Sequence, residues 1–298
     1  MFKRILLFLG LNLLVITMVT LVLNILGVQP YLNAYGLDYQ SLMIFCLVWG
    51  MVGAVVSLCL SRVMAKWMLG VNVIDPSTQD PQLKELLYTV QTLSRKAEIP
   101  MPQVGVYRSN EVNAFATGPT KKRSLVAVSS GLLNRMNQQE LEGVLGHELA
   151  HIANGDMVTM TLLQGVINAF VMFLARILAS LLSGLGKNKN NSQNGSYASF
   201  VLFTYLFEAI FMTLGFMVIA AYSRYREFKA DRGGSRITGK ASMISALESL
   251  KSLKHYEDTK QNEAIAAFKI AGSKKKGIRS LFSTHPPIEE RIERLQRQ

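Results

Sequence analysis

The chain has 298 residues, 49% hydrophobic and only 17% charged, against roughly a quarter charged in an average soluble protein. That much apolar surface excludes disorder. The two cysteines, Cys46 and Cys59, exclude a disulfide-stapled scaffold; on one helix they would lie about 20 Å apart, too far to bridge. A net charge of +12 fits either nucleic-acid binding or a membrane protein with basic cytoplasmic parts, and its distribution decides between them.

Four apolar runs dominate the chain: Ile5 to Leu26, Ser41 to Leu60, Met157 to Leu182 with the single charge Arg176, and Ala198 to Ala221 with the single charge Glu208. Each reaches the roughly 20 residues that a bilayer-spanning helix needs. The first is longer than a signal-peptide core and lacks an A-x-A site, so it reads as an uncleaved anchor. Lys3 and Arg4 precede it, and Arg62 and Lys66 follow the second run. The loop between them, Gly27 to Gln40, has no Lys or Arg. Basic flanks face the cytoplasm, which places the N-terminus and everything after Lys66 there. Residues 62–135 hold ten basic and five acidic residues, and residues 222–298 hold seventeen and nine. This pattern accounts for the net charge without nucleic acid. If the third and fourth runs both span, Arg176 and Glu208 sit at depths about 6 Å apart, within reach of each other. The turn Lys187 to Asn194 then faces the non-cytoplasmic side.

Between the runs, Pro81 to Glu98 has the three-and-four spacing of an amphipathic helix. Gln103 to Tyr107, Ala114 to Thr117 and Leu125 to Ser129 read as strands of a small antiparallel sheet. Asn137 and Glu140 form a capping box that opens a helix through Ala153, closed by Asn154-Gly155. Further helices are expected at Tyr222 to Ser235, at Lys240 to Leu253, and after Pro286-Pro287; the Lys-rich stretch 255–280 reads as a loop. The fold class is α+β and mostly helical, with transmembrane helices and a cytoplasmic domain that carries the small antiparallel sheet. Residues 1–66 form the N-terminal membrane anchor, 67–156 the first part of the cytoplasmic domain, 157–221 a membrane hairpin, and 222–298 the second part of the cytoplasmic domain.

The chemistry sits at His147-Glu148-Leu149-Ala150-His151. Two His four apart on a helix project from one face and can share a Zn²⁺. Glu148, beside them, is placed to take a proton from water at the metal. A catalytic zinc needs a third protein ligand. The metzincin extension is absent, because Asn154 and Met157 stand where its Gly and third His belong. Candidates elsewhere are Glu227, His255, His285 and Asp156. Glu227 is the best of them, since Asp231 follows four residues later on the same helix face and can accept the N–H of a ligand His. His285, held by two prolines, can stabilise a developing oxyanion. Asn113, opening the candidate edge strand at Ala114 to Thr117, can help hold an extended substrate.

Asn113–Gly118 (NAFATG), His147–His151 (HELAH), Ser223–Asp231 (SRYREFKAD) and Thr284–Pro287 (THPP) together resemble the HtpX family, the membrane-bound zinc metalloproteases of bacterial inner membranes. The resemblance covers the whole chain. It implies that the cytoplasmic domain, residues 67–156 with 222–298, is a zincin-like protease domain with a gluzincin-type site, in which His147, His151 and Glu227 are ligands of one Zn²⁺ per subunit and Glu148 is the base. It also implies quality control of misfolded membrane proteins in the envelope stress response. The expected partners are polypeptide substrates and the lipid bilayer, not nucleic acid. The alternatives are a metal-binding membrane scaffold or chaperone, against which the intact Glu148 argues, and a CAAX-type prenyl protease, for which this chain is short.

Overall fold

The computed structural model describes residues 25, 32–33, 36–185, 193–265 and 280–298. The first apolar run apart from Ile25, the turn around Lys187, much of the Lys-rich stretch and the side chain of His255 lie outside the described residues. Two compact units emerge, one comprising Met1–Leu58 with Thr159–Ile219, the other Cys59–Val158 with Ala220–Gln298.

A two-stranded ribbon, β1 (Leu32–Asn33) and β2 (Gly36–Leu37), precedes helix α1 (Tyr39–Met68). The helices α5 (Asp156–Leu185) and α6 (Gln193–Thr238) carry the other two described apolar runs. Among the described residues these three helices are long and apolar enough to cross a membrane, and at most 28% of the most apolar stretch of each is buried in protein. Within the first unit, α1 and α5 meet backbone to backbone. A Cβ on Gly50 would stand 2.5 Å from the Gly165 carbonyl oxygen, the close approach that small residues allow between apolar helices. Arg176 of α5 donates to Glu208 of α6 at 2.7 Å, and its guanidinium lies 5.9 Å from the centre of the Phe45 ring on α1. The two charges expected to pair therefore do so. Cys46 and Cys59 are free thiols.

In the second unit, α2 (Pro81–Lys96) is capped by Asp80, whose side chain accepts from the backbone of Gln82 and Leu83. The sheet has four strands, β3 (Asn72–Val73), β4 (Gln103–Tyr107), β5 (Ala114–Thr120) and β6 (Arg123–Ser129), in the order β3-β4-β6-β5. It is mixed, not purely antiparallel: β4 and β6 run parallel, while β3–β4 and β5–β6 are antiparallel. The reason lies in burial. β6 is buried along Ser124–Ser129 and sends Val126 and Val128 to one core and Leu125 and Ala127 to another. A strand covered on both faces takes the centre of a sheet. Its tight turn from β5 then leaves β5 outside, at the edge expected for it.

The short helix α3 (Ser130–Arg135), not foreseen from the sequence, follows β6. Helix α4 (Gln138–Asn154) begins at the expected capping box, with Asn137 and Glu140 exchanging bonds of 3.0 Å each way, and stops at Gly155, whose φ of 70° suits glycine. No breaker separates Ala221 from Tyr222, so the helix expected at Tyr222 to Ser235 is the continuation of α6. Helix α7 (Lys240–Ile265) likewise runs past Leu253. A 3₁₀ turn at Ser280–Phe282 and helix α8 (Ile288–Gln296) complete the chain. Met243 and Leu247 of α7 pack with Ile292 and Leu295 of α8.

Candidate metal centre

Helix α4 carries His147 and His151 one turn apart, and the charged end of α6 carries Glu227 and Asp231 one turn apart. Two glycines let these helices close. A Cβ on Gly234 would stand 3.0 Å from the His147 backbone nitrogen, and one on Gly146 would stand 2.5 Å from Thr238 Cγ2. The approach brings together three of the residues singled out from the sequence. The Nε2 atoms of His147 and His151 are 3.1 Å apart, and they lie 3.4 and 3.3 Å from Glu227 Oε2 and Oε1. Ligands at 2.0–2.1 Å in a tetrahedral shell stand about 3.3 Å from one another, so the three edges fit a metal of that size.

The other imidazole edges are anchored. His147 Nδ1 lies 2.9 Å from Asp231 Oδ1, and His151 Nδ1 lies 2.7 Å from Asp156 Oδ2. Each carboxylate fixes one ring and turns its Nε2 toward the common centre. Asp156, one of the candidate third ligands, thus sits behind His151, and Asp231 sits behind His147.

Glu227 decides the character of the site. It is 1% exposed, and neither of its oxygens has a hydrogen bond among the described residues. His285 Nδ1 stands 2.9 Å from Oε2, and Arg226 and Arg291 come to 3.7 Å. None of these approaches has hydrogen-bond geometry. A buried carboxylate left so is costly, and two imidazoles with one carboxylate are a donor set suited to a divalent metal. Burial alone would push the Glu227 carboxyl up; the rings of His147, His151 and His285 outweigh it and hold the group well below the usual carboxylate range. For His147, burial favours the neutral ring, but Asp231 and Glu227 prevail and push it up to about 9. A metal must displace that proton.

Glu148 is half-buried and has no hydrogen-bond or ion-pair partner among the described residues. It lines a cleft of about 150 Å³ together with His147, Glu227, His285, Asn113 and Ala114. The backbone of Asn113 bonds to Ser129 twice, its N–H to Oγ at 3.1 Å and its carbonyl from the amide at 2.9 Å, so the edge strand β5 starts at the cleft wall.

Arg291 is a site residue that the sequence reading missed. It is 8% exposed and grips Asp231 with two bonds of 2.6 and 2.8 Å. Asp231 and the guanidinium hold each other charged against the burial of both. The signal was there to be seen: Arg291 shares the buried stripe of Ile292 and Leu295 on α8, where an apolar residue belongs.

Residues 78–298 match the model of peptidase family M48. Over 300 residues the chain is 45% identical to a "Protease HtpX homolog" of Methylacidiphilum infernorum, covering 100% of this chain and 99% of that one. It is 49% identical over 306 residues to the protein of that name from Bacillus subtilis, covering 99% of each. It is also 44% identical over 292 residues to "Protease HtpX" of Thioalkalivibrio sulfidiphilus, covering 97% of each. In fold it resembles the crystal structure of S. mikatae Ste24p, with a TM-score of 0.64 at 15% identity; the alignment covers 98% of this chain and 64% of that longer one. The chain belongs to peptidase family M48 and is a membrane protease.

Proposed function

We propose that this protease is a zinc-dependent endopeptidase with one zinc per subunit, which cuts misfolded or damaged membrane proteins at the cytoplasmic face of the bacterial inner membrane. The carrying observation is Glu227, a buried carboxylate without a hydrogen bond among the described residues, whose oxygen lies within 4.8 Å of a nitrogen on both His147 and His151. When bound by these three residues, zinc would polarise a scissile carbonyl and acidify water beside it. Glu148, without a hydrogen bond or ion pair among the described residues, takes the proton from that water and delivers it to the leaving amine. His285 meets the oxyanion, and Asn113 and β5 hold the substrate strand in the cleft. The cytoplasmic placement rests on the basic flanks of the apolar runs, and the quality-control role on the likeness to the HtpX family.

The same reading makes residues 1–66 the anchor, 157–221 a membrane hairpin, and 67–156 with 222–298 the protease domain. A cysteine placed at Asn191, in a background lacking Cys46 and Cys59, should react with a membrane-impermeant thiol reagent on the non-cytoplasmic side; labelling only after the membrane is opened would overturn the hairpin.

Cleavage of casein by the detergent-solubilised protein tests the activity. A chelator should abolish it, zinc should restore it, and Glu148→Gln should keep its zinc while losing about 10²- to 10⁴-fold in turnover. Turnover above about a tenth of wild type in that variant would remove Glu148 from its role. Cleavage indifferent to chelator would sink the zinc assignment.

A further inference from the structure

Arg224 stands one turn before Glu227 on α6, and residues three apart share a helix face. Its Nη1 donates to two backbone carbonyls of a distant segment, Ser283 O at 2.7 Å and Leu281 O at 3.3 Å. Both belong to the chain leaving the Ser280–Phe282 turn, whose end carbonyls have no helical partner of their own. Two residues on, the Ser283 hydroxyl donates to the carbonyl of His285 at 2.6 Å. Pro286 is buried behind it. The ring so delivered is 65% exposed, with Nδ1 2.9 Å from Glu227 Oε2. Its other nitrogen, on the opposite edge, has no partner among the described residues. One turn of α6 therefore holds both the metal carboxylate and the backbone that presents His285 to the cleft. Arg226 differs: its Nε is buried without a hydrogen bond and its guanidinium approaches Glu227 itself.

We infer that Arg224 is a positioning residue for the peptidase reaction, acting through His285: by clamping the carbonyls of Leu281 and Ser283 it sets the ring beside Glu227, where its free edge meets the developing oxyanion of a peptide substrate. The inference rests on the proteolytic reading above. Ordering a turn in advance matters because a misplaced oxyanion donor is worth little.

The test uses the full-length, zinc-loaded protein in detergent with Arg224→Ala, Arg224→Lys, His285→Ala and the double variant Arg224→Ala/His285→Ala. Loss of one oxyanion donor costs about 10²–10³-fold in kcat, and a loosened one somewhat less. Arg224→Ala should lose about 10–100-fold in kcat, with KM within about twofold and zinc content unchanged. The double variant should be no slower than His285→Ala, because the two residues act as one unit. Arg224→Lys, able to reach one carbonyl but not to fork, should regain at least half of the loss on a logarithmic scale. Hydrogen exchange in a peptide covering residues 280–287 should quicken in Arg224→Ala. Losses that multiply in the double variant, or that fall on KM or zinc content, would overturn the inference, as would unchanged exchange at 280–287. Wild-type protein without chelator-sensitive cleavage would sink the peptidase reading instead, and the exchange measurement would still decide whether Arg224 holds the turn. Should Arg224→Ala fail to fold, Arg224→Lys carries the kinetic and exchange comparisons alone.

Discussion

Each unit of the molecule buries charge, and the two do so in opposite ways. In the first, Arg176 and Glu208 meet at 2.7 Å with Phe45 beside the guanidinium, and the charges satisfy each other. In the second, Arg291 and Asp231 satisfy each other in the same manner, but Glu227, a few ångströms away, is surrounded by nitrogens and bonded to none. A closed pair is glue. An open carboxylate at the meeting point of two imidazoles is suited to hold a cation, because no hydrogen bond among the described residues takes up its oxygens. The contrast also explains why the pair in the apolar unit needs no function: an ion pair is the least costly way to keep two charges between apolar helices.

The sharpest way to break this contrast is to remove the open charge. On the proposed zinc reading, Glu227→Ala should lose the metal, with zinc occupancy after dialysis falling at least about 100-fold below wild type, while His255→Ala stays near wild type; atomic emission on purified protein reads both. The reverse result would move the centre away from α6.

The supporting carboxylates divide the effect. Asp156→Ala and Asp231→Ala should each weaken zinc by about 10–100-fold, measured by chelator competition, since each removes the group that orients one imidazole. Only Asp231→Ala also strands Arg291, and an unpaired buried charge costs about 3–5 kcal/mol, so thermal unfolding should separate the two. Equal unfolding temperatures would mean that Glu227, 3.7 Å from Arg291, takes over the guanidinium.

Protons probe the same centre. In metal-stripped protein His147 is raised to about 9, above its ordinary 6.5. The stability this contributes is therefore fully present below about pH 6.5 and lost as pH rises through about 9. On the proposed zinc reading the metal competes with that proton, so zinc affinity should climb about tenfold per pH unit until roughly pH 9 and then level off. An affinity flat between pH 7 and 9 would show that Asp231 and Glu227 do not hold the ring charged.

The closed pair gives the smallest effect. Glu208→Leu, which takes the carboxylate away from Arg176, should cost about 2.5–3.5 kcal/mol in detergent unfolding. The double change Arg176→Leu/Glu208→Leu should be nearly neutral, because both charges leave together. Cleavage should persist in the double variant; its loss would give the pair a part in the chemistry.

Local chemistry was legible in the residues alone. The apolar run Ser41 to Leu60, the capping box at Asn137 and Glu140, the stop at Gly155, and two His one turn apart with Glu148 between them all follow from short-range periodicity and backbone preference, and the structure places each of these elements there. What tertiary structure decided is everything joined across long stretches of chain. The donor set closes between His151 and Glu227, 76 residues apart, through a helix contact that Gly146 and Gly234 permit, and a glycine advertises no partner. Asp156 stood in the sequence only as a candidate third ligand, and its place 2.7 Å from His151 Nδ1, behind the ring, emerged from the tertiary structure alone. The parallel pairing of β4 with β6 followed from burial on both faces of the sheet, which strand spacing does not encode. Arg291 was missed because a single charge in an amphipathic stripe gains its meaning from Asp231, the anion it meets in space.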